Sequence, residues 1–140
     1  MEAVVGWMDA MRRGDLGAAA EWFHPDVVWR GIPGAGACAN RDEVLEMLGD
    51  SLVACPEDPE RPGEETGLRG ADAVELIAGG DDIAVLGARV PGLTELGGTP
   101  VHGQLFSVFR TRDGRIAAVA DYARRGDALA AAAIEPPAWR

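Results

Sequence analysis

Residues 109–122 read FRTRDGRIAAVADY, in which the dipeptide Asp113-Gly114 separates the β-type run that ends near 111 from the apolar run that begins near 115. Asp-Gly between two such runs is a good signal for a β-hairpin. We therefore predict two antiparallel strands, at about 101–111 and 115–123.

Two further β-type runs precede this hairpin, at about 73–78 and 82–90, and glycine-rich turns separate the four runs. Consecutive strands joined by such turns indicate an antiparallel meander. Because several of the strands are long and interrupted by glycine, the pattern favours a sheet bent over a second layer.

The first third of the chain has helical spacing. Apolar residues recur at the helical period over residues 4–11, which predicts a helix that ends near Gly14. Asp15 can cap a short second helix, which we expect to stop at His24-Pro25. The apolar residues expected on that helix are Leu16, Ala19, Trp22 and Phe23.

Asn40 followed by Glu43 is a capping-box pattern, and it predicts the start of a third helix. A brief strand is expected at 27–29, and an alanine-rich helix at about 125–134. Helices followed by strands predict an α+β domain in which the N-terminal helices pack on a curved antiparallel sheet.

The length of 140 residues predicts one domain, 1–140. Within it, residues 56–67 are expected to form a mobile loop, because three prolines and five acidic residues cannot bury enough apolar surface. Residues 135–140 are expected to be a tail.

The composition argues against several function classes. A formal net charge of −10 makes a nucleic-acid partner improbable, and no apolar run approaches the roughly 18–20 residues of a membrane span. Met1 is followed by Glu2 and an amphipathic segment, so we expect no secretory signal and a cytoplasmic location. Cys38 and Cys55 lack metal-ligand spacing and are predicted to be free thiols.

Three strings carry a family resemblance. They are MRRGDL at 11–16, WFHPDVVW at 22–29 and the hairpin string at 109–122. In order and spacing they resemble the SnoaL-like branch of the nuclear transport factor 2 superfamily, which also contains ketosteroid isomerases, limonene-epoxide hydrolases, scytalone dehydratases and polyketide cyclases. The resemblance implies a cone-shaped sheet wrapped over helices, a pocket deep in the cone, and commonly a homodimer. It does not imply one reaction, because this scaffold hosts many chemistries.

Asp121 is the best candidate for a catalytic group. It lies within an apolar run, where strand packing needs no charge, and alternation places it on the same face as Val119. A carboxylate buried in an apolar cone has a raised pKa and can act as a general acid or base near neutral pH. The alternative is a structural Asp paired with an arginine.

The resemblance to limonene-epoxide hydrolases implies a role for Arg89 beside Asp121. Those enzymes have a second Asp two residues after the arginine, where this chain has Pro91, which cannot take a proton. We therefore expect an Arg89–Asp121 pair either as half of such a site or as a structural bridge.

The resemblance to ketosteroid isomerases implies that their site is lost or weakened here. Trp7 stands where those enzymes have an oxyanion-binding tyrosine, Gly31 stands near their base, and Ser107 stands near their second oxyanion donor. Isomerisation by that mechanism is not expected.

His102, Gln104 and Phe106 alternate on one face of the strand at 101–111, and Ser107 lies on the other. Periodicity leaves open which face lines the pocket. A histidine there can exchange protons in the working pH range, or it is a partly exposed residue near a loop.

Aromatic residues are expected to form either a wall for a ring-bearing ligand or an ordinary core. The predicted catalytic residues are Asp121, Arg89 and His102, and the predicted substrate-binding residues are Trp7, Trp29, Gln104, Phe106, Ser107 and Val119. No metal site and no cofactor are expected, because no ligand cluster has suitable spacing.

These residues favour a cofactor-independent acid/base cyclase, isomerase or dehydratase that acts on an apolar, ring-bearing molecule, polyketide-like or terpenoid-like. Two alternatives stay open. One is an epoxide-hydrolase-like enzyme with an incomplete Asp-Arg-Asp site, and the other is a non-catalytic module for binding small molecules or for dimerisation.

Overall fold

The computed structural model describes residues 2–32, 34, 36–53, 73–89 and 94–132. The predicted loop at 56–67 and tail at 135–140, together with Cys55 and Pro91, lie outside these residues. The elements in chain order are α1 (Glu2–Arg12), α2 (Leu16–Glu21), β1 (Phe23–Arg30), β2 (Ala37–Cys38), α3 (Arg41–Val53), β3 (Ala73–Gly79), β4 (Ile83–Arg89), β5 (Glu95–Leu96), β6 (Thr99–Pro100), β7 (Gln104–Arg112), β8 (Arg115–Tyr122) and α4 (Arg125–Ala132).

The helix starts follow from local hydrogen bonds. The Asp15 side chain accepts from the Ala18 N–H at 3.0 Å and caps α2. At α3, Asn40 Oδ1 accepts from the Glu43 N–H at 2.9 Å, while Glu43 Oε2 accepts from the Ala39 N–H at 2.6 Å. The capping pattern predicted from the sequence is therefore present.

The predicted hairpin is also present. Asp113 and Gly114 both have positive φ, 55° and 75°, as a two-residue turn of this kind requires, and they join β7 to β8. The main sheet has the strand order β2-β1-β8-β7-β4-β3, and β5 and β6 form a separate two-stranded sheet. Together with the N-terminal helices this is the α+β class expected.

Two details of the prediction are wrong. The pairing of β1 with β8 is parallel, so the sheet is mixed rather than wholly antiparallel. Trp22 and Phe23 do not continue α2, because β1 begins at Phe23, opposite Ile116, and the Ile116 N–H donates to the Trp22 carbonyl at 2.7 Å. Pairing with a distant strand thus overrides the local helical spacing.

The sheet has an apolar layer on each face. We call the side covered by α1, α2 and α3 the helix face, and the side covered by α4 the outer face. The helix face carries the larger cluster, which includes Trp7, Phe23, Trp29, Leu86, Phe109, Ile116 and Val119. The outer face carries a smaller cluster with Val85, Phe106, Val108, Ala128 and Ala132.

The register shifts within three strand pairs, between Phe23 and Val28, between Leu76 and Ala78, and between Arg110 and Thr111. Such irregularities bend strands and increase their twist. Among the helices of the described residues, none combines the length and hydrophobicity needed to cross a membrane.

Candidate active site

The Asp121 carboxylate lies on the helix face and is held by two side chains from neighbouring strands. Ser107 Oγ on β7 donates to Asp121 Oδ1 at 2.6 Å, and Trp29 Nε1 on β1 donates to Asp121 Oδ2 at 2.9 Å. Each carboxylate oxygen therefore has one protein donor. Because a carboxylate offers about four lone-pair sites, further sites are left for a ligand.

The strand register explains why these three residues meet. Ser107 lies directly opposite Asp121, and Trp29 lies opposite Val119, two residues earlier on β8. Residues opposite each other on adjacent strands share a face, so β1, β8 and β7 direct the three side chains to one side.

The surroundings raise the pKa of Asp121. Burial is the main cause, because it disfavours the charged carboxylate, and the hydrogen bonds from Ser107 and Trp29 lower the pKa without offsetting the burial. Both donors are neutral. A carboxyl group in such a setting can hold or release a proton closer to neutral pH than an exposed Asp can.

Four aromatic rings pack beside this carboxylate. The Trp7 ring centroid lies 5.1 Å from that of Phe109, 5.9 Å from that of Trp29 and 6.2 Å from that of Phe23. Trp7 is 2% exposed and Trp29 is 7% exposed. The predicted aromatic wall is thus largely a packed cluster, and Trp29 connects it to Asp121 by its indole N–H.

The Trp7 indole N–H has no hydrogen-bond partner among the described residues, although it is fully buried. Trp7 occupies the position that the resemblance to ketosteroid isomerases singled out. Because its ring packs against three other buried rings, Trp7 is a core residue of the helix face.

The other predicted site residues lie on the opposite side of the sheet. Gln104 pairs with Arg89, and Phe106 pairs with Gly87 and with Tyr122. Together with His102 these residues line a groove of about 590 Å³ on the outer face. The sheet therefore separates Arg89, His102, Gln104 and Phe106 from Asp121, Ser107, Trp29, Trp7 and Val119.

The expected Arg89–Asp121 pair does not form. Leu86, and not Arg89, lies in line with Ser107 and Asp121, and Arg89 is three residues further along β4. Arg89 therefore lies on the other face of the sheet, displaced from Asp121 by about 10 Å along the strands and about 10 Å across them. An odd number of residues along a strand reverses the side-chain direction, which is the physical reason for the separation.

Sequence reasoning missed that Ser107 and Trp29 hold Asp121. Both were expected to contact substrate. The sequence offered one signal, the tight turn at Asp113-Gly114. Counting outward from this turn predicts which residues of β7 and β8 lie opposite each other, but a bulge shifts the true register by one residue.

Two further questions about the described residues concern metal ligands and thiols. Within the described ranges, no cluster of three or more His, Cys, Asp or Glu side chains could hold a metal ion. Cys38 is a half-buried free thiol whose Sγ lies 3.9 Å from Met47 Sδ, and burial, together with the nearby Glu43 and Glu46, raises the pKa of that thiol.

Solved structures resemble this fold over most of its length. A candidate polyketide cyclase from Sinorhizobium meliloti is 23% identical and has a TM-score of 0.59, with 87% of this chain and 94% of that chain covered. A nuclear transport factor 2-like protein of unknown function from Cytophaga hutchinsonii is 9% identical and has a TM-score of 0.56, with 86% of each chain covered.

A protein with a ketosteroid isomerase-like fold from Catenulispora acidiphila, solved in complex with trimethylamine, is 17% identical and has a TM-score of 0.55. The match covers 96% of this chain and 94% of that chain. At these identities the likeness establishes the fold alone, which is that of the nuclear transport factor 2-like proteins.

The family can be stated more closely. The sequence model of the SnoaL-like domain family matches residues 4–119 of this chain, and the chain therefore belongs to this family. The matched region includes Trp29 and Ser107 and ends two residues before Asp121. A search of curated proteins gave no match.

Proposed function

We propose that this protein is a cofactor-independent acid/base enzyme whose general acid or base is Asp121. The observation that carries the proposal is the half-buried carboxylate with a raised pKa and two fixed neutral donors. Ser107 and Trp29 are positioning residues in this proposal, because they hold the carboxylate and leave lone pairs for the substrate.

The reaction is proposed to begin with proton transfer. The ionised Asp121 takes a proton from a carbon next to a carbonyl group, and the bonding electrons move into the enolate. In a cyclisation the enolate carbon attacks a second carbonyl carbon of the same molecule, and the resulting alkoxide takes the proton from Asp121. In an isomerisation the enolate is conjugated with a carbon–carbon double bond and takes the proton from Asp121 at the far carbon of that system. Asp121 returns its proton in either case, so the cycle needs no redox partner.

The surroundings of Asp121 support the substrate class in this proposal. Leu86, Phe109 and Val119 lie on the same face and are buried, and the Trp29 ring lies beside the carboxylate. We propose a substrate with an apolar body, rings and a carbonyl group, because the residues around the carboxylate are apolar. A polyketide-like or terpenoid-like molecule fits this description.

Deuterium exchange tests the proposal without the natural substrate. The protein is incubated in D₂O with 2-tetralone, an apolar ring compound with acidic C–H bonds, and exchange is followed by proton NMR. We expect exchange above the buffer rate, and Asp121→Asn should lower the enzymatic part by about 10²–10⁴-fold. Asp81→Asn, which alters an exposed loop residue, is the matched control.

Two results would contradict the proposal. One is enzymatic exchange that survives in Asp121→Asn, and the other is binding of 2-tetralone near Trp29 with no exchange above buffer.

The second of these results would favour a binding module instead. The observation that favours a binding module is the packed aromatic cluster, because its presence does not require any catalysed reaction. The trimethylamine complex of the Catenulispora acidiphila protein shows that a relative of this fold takes up a small molecule.

The epoxide-hydrolase alternative is not supported, since Arg89 lies on the opposite face from Asp121. Homodimerisation remains a prediction, which sedimentation can test.

A further inference from the structure

The outer-face groove lies at the same end of the sheet as Asp121 but on the other side. It is formed where β4 and β8 end and β7 begins, and the start of α4 borders it. Its volume of about 590 Å³ is in the usual range of roughly 300–1,000 Å³ for sites that bind small molecules. None of the groups proposed for acid/base chemistry lines it.

The charge of this groove is opposite to that of the whole chain. Three arginines line it, Arg89, Arg124 and Arg125, against one carboxylate, Glu75. The chain as a whole has 23 acidic residues against 13 basic ones. A local excess of positive charge attracts anions to that place even on a protein whose net charge is negative.

Arg124 and Arg125 are exposed, and within the described part of the chain neither forms an ion pair. Their guanidinium groups therefore keep their donors for a ligand. Guanidinium donors match the two oxygens of a carboxylate in parallel hydrogen bonds. Gln104 adds an amide to the same lining.

An apolar surface lies beside the arginines. Phe106 and Ile77 line the groove, and they pack closely over Gly87. A Cβ at position 87 would lie 2.8 Å from Ile77 Cδ1 and 3.2 Å from Phe106 Cε1, so the absence of a side chain there lets the ring and the isoleucine meet. The ligand complementary to this lining has an apolar body and an anionic end.

His102 borders the groove from the turn that leads into β7. The Gln104 N–H donates to the Val101 carbonyl at 3.0 Å, and the two residues between them, His102 and Gly103, have φ 53° and 73°. These values are close to those of the tight turn at Asp113-Gly114, so the turn itself accounts for them and fixes where this edge of the groove lies.

We propose that the outer-face groove is a second binding site, for a small organic anion whose carboxylate is held by Arg124 and Arg125 and whose apolar body lies on Ile77 and Phe106. This site is independent of the reaction proposed at Asp121. The two sites are on opposite faces of one sheet, so they share strands but no side chains.

Binding of 2-naphthoate tests the proposal by ¹⁵N chemical-shift mapping of the full chain. We expect the amides of Gln104, Phe106 and Ala123 to shift. The double variant Arg124→Gln, Arg125→Gln should weaken binding by about tenfold or more, because it removes both guanidinium groups. The neutral analogue 2-naphthylmethanol should bind more weakly by a similar factor.

Arg12→Gln, Arg13→Gln is the matched control, since it removes two adjacent arginines at the end of α1, away from the groove. It should leave binding unchanged. Gly87→Ala is a second variant that keeps every arginine but crowds Ile77 and Phe106, and it should also weaken binding.

Each of the following results would overturn the proposal: no shifts at about 1 mM 2-naphthoate, shifts centred on Trp29 and Ser107, equal binding of the neutral analogue, or equal weakening by the control pair.

Discussion

Ser107 and Asp121 lie directly opposite each other on β7 and β8, and the Ser107 hydroxyl donates a 2.6 Å hydrogen bond to the Asp121 carboxylate. This bond stabilises the charged form of Asp121, as does the bond from Trp29, whereas burial stabilises the neutral form. The pKa of Asp121 is raised, so burial outweighs the two bonds. A substitution that removes one of these contributions should therefore shift the pKa of Asp121 in a predictable direction.

Replacing Ser107 by Ala should raise the pKa of Asp121 further. The substitution removes a donor to the charged carboxylate and leaves burial in place. A ¹³C NMR titration of the Asp121 carboxyl group measures this directly. Ser107→Thr keeps a hydroxyl and serves as the control, which should titrate closer to wild type than Ser107→Ala does. An unchanged or lowered pKa in Ser107→Ala would contradict the assigned hydrogen bond.

The free energy of unfolding should depend on pH through Asp121. Its pKa is higher in the folded protein than the ordinary value of 3.8, so the folded state binds more protons in the window between these two values. The contribution of neutral Asp121 to stability is fully present below pH 3.8 and is lost as the pH rises through the folded pKa.

Asp121→Asn removes this titration, because the amide does not ionise. The stability of wild type relative to Asp121→Asn should therefore fall as the pH rises through the window, as measured by urea unfolding at a series of pH values. A difference that stays constant, or one that grows with pH, would show that the pKa of Asp121 is not raised.

Trp29 and Asp121 should be energetically coupled. Trp29→Phe keeps an aromatic ring in the cluster but removes the indole N–H that donates to Asp121 at 2.9 Å. In a double-mutant cycle with Asp121→Asn, we expect a coupling free energy of about 1–3 kcal/mol at a pH where Asp121 is ionised. Additive effects of the two substitutions would mean that the bond contributes nothing to stability.

The packing of α1 against Trp22 can be tested at Gly6. A Cβ at this position would collide with the Trp22 indole ring. Gly6→Ala should therefore destabilise the fold by about 1–3 kcal/mol, although alanine normally favours a helix.

Gly17→Ala is the matched control within α2. Its Cβ would meet only Asp15 Oδ1, at an ordinary 3.6 Å, so it should raise stability by up to about 1 kcal/mol. The two thermal unfolding midpoints should shift in opposite directions. A stabilised Gly6→Ala variant would contradict the close packing of Trp22 on α1.

The sequence was a good guide wherever the structure depends on neighbouring residues. The Asp15 cap, the Asn40–Glu43 capping pair and the Asp113-Gly114 turn are all present as predicted. Each of these depends on backbone groups within a few residues, so the local chemistry is sufficient to specify it. The alternation that separates Phe106 from Ser107 is also local.

Contacts between distant segments were beyond such reasoning. The parallel pairing of β1 with β8 joins residues about ninety positions apart, such as Trp29 and Val119, and it also ends α2 earlier than helical spacing predicts. A short stretch of sequence does not determine whether a distant strand will pair with it in the parallel or the antiparallel direction.

The clearest case is the partner of Asp121. Residue-by-residue counting outward from the turn, where Thr111 pairs with Ile116, would place Ser107 opposite Ala120 and Asp121 opposite Phe106 on the outer face. The bulge after Arg110 adds one residue to β8, so that Asp121 instead faces Ser107 and Trp29 on the helix face. The amino-acid sequence by itself determined that a lone carboxylate would lie in an apolar strand. Only the tertiary structure decided which face it occupies, because a one-residue change of register reverses every side chain and the packing of two apolar layers selects the register.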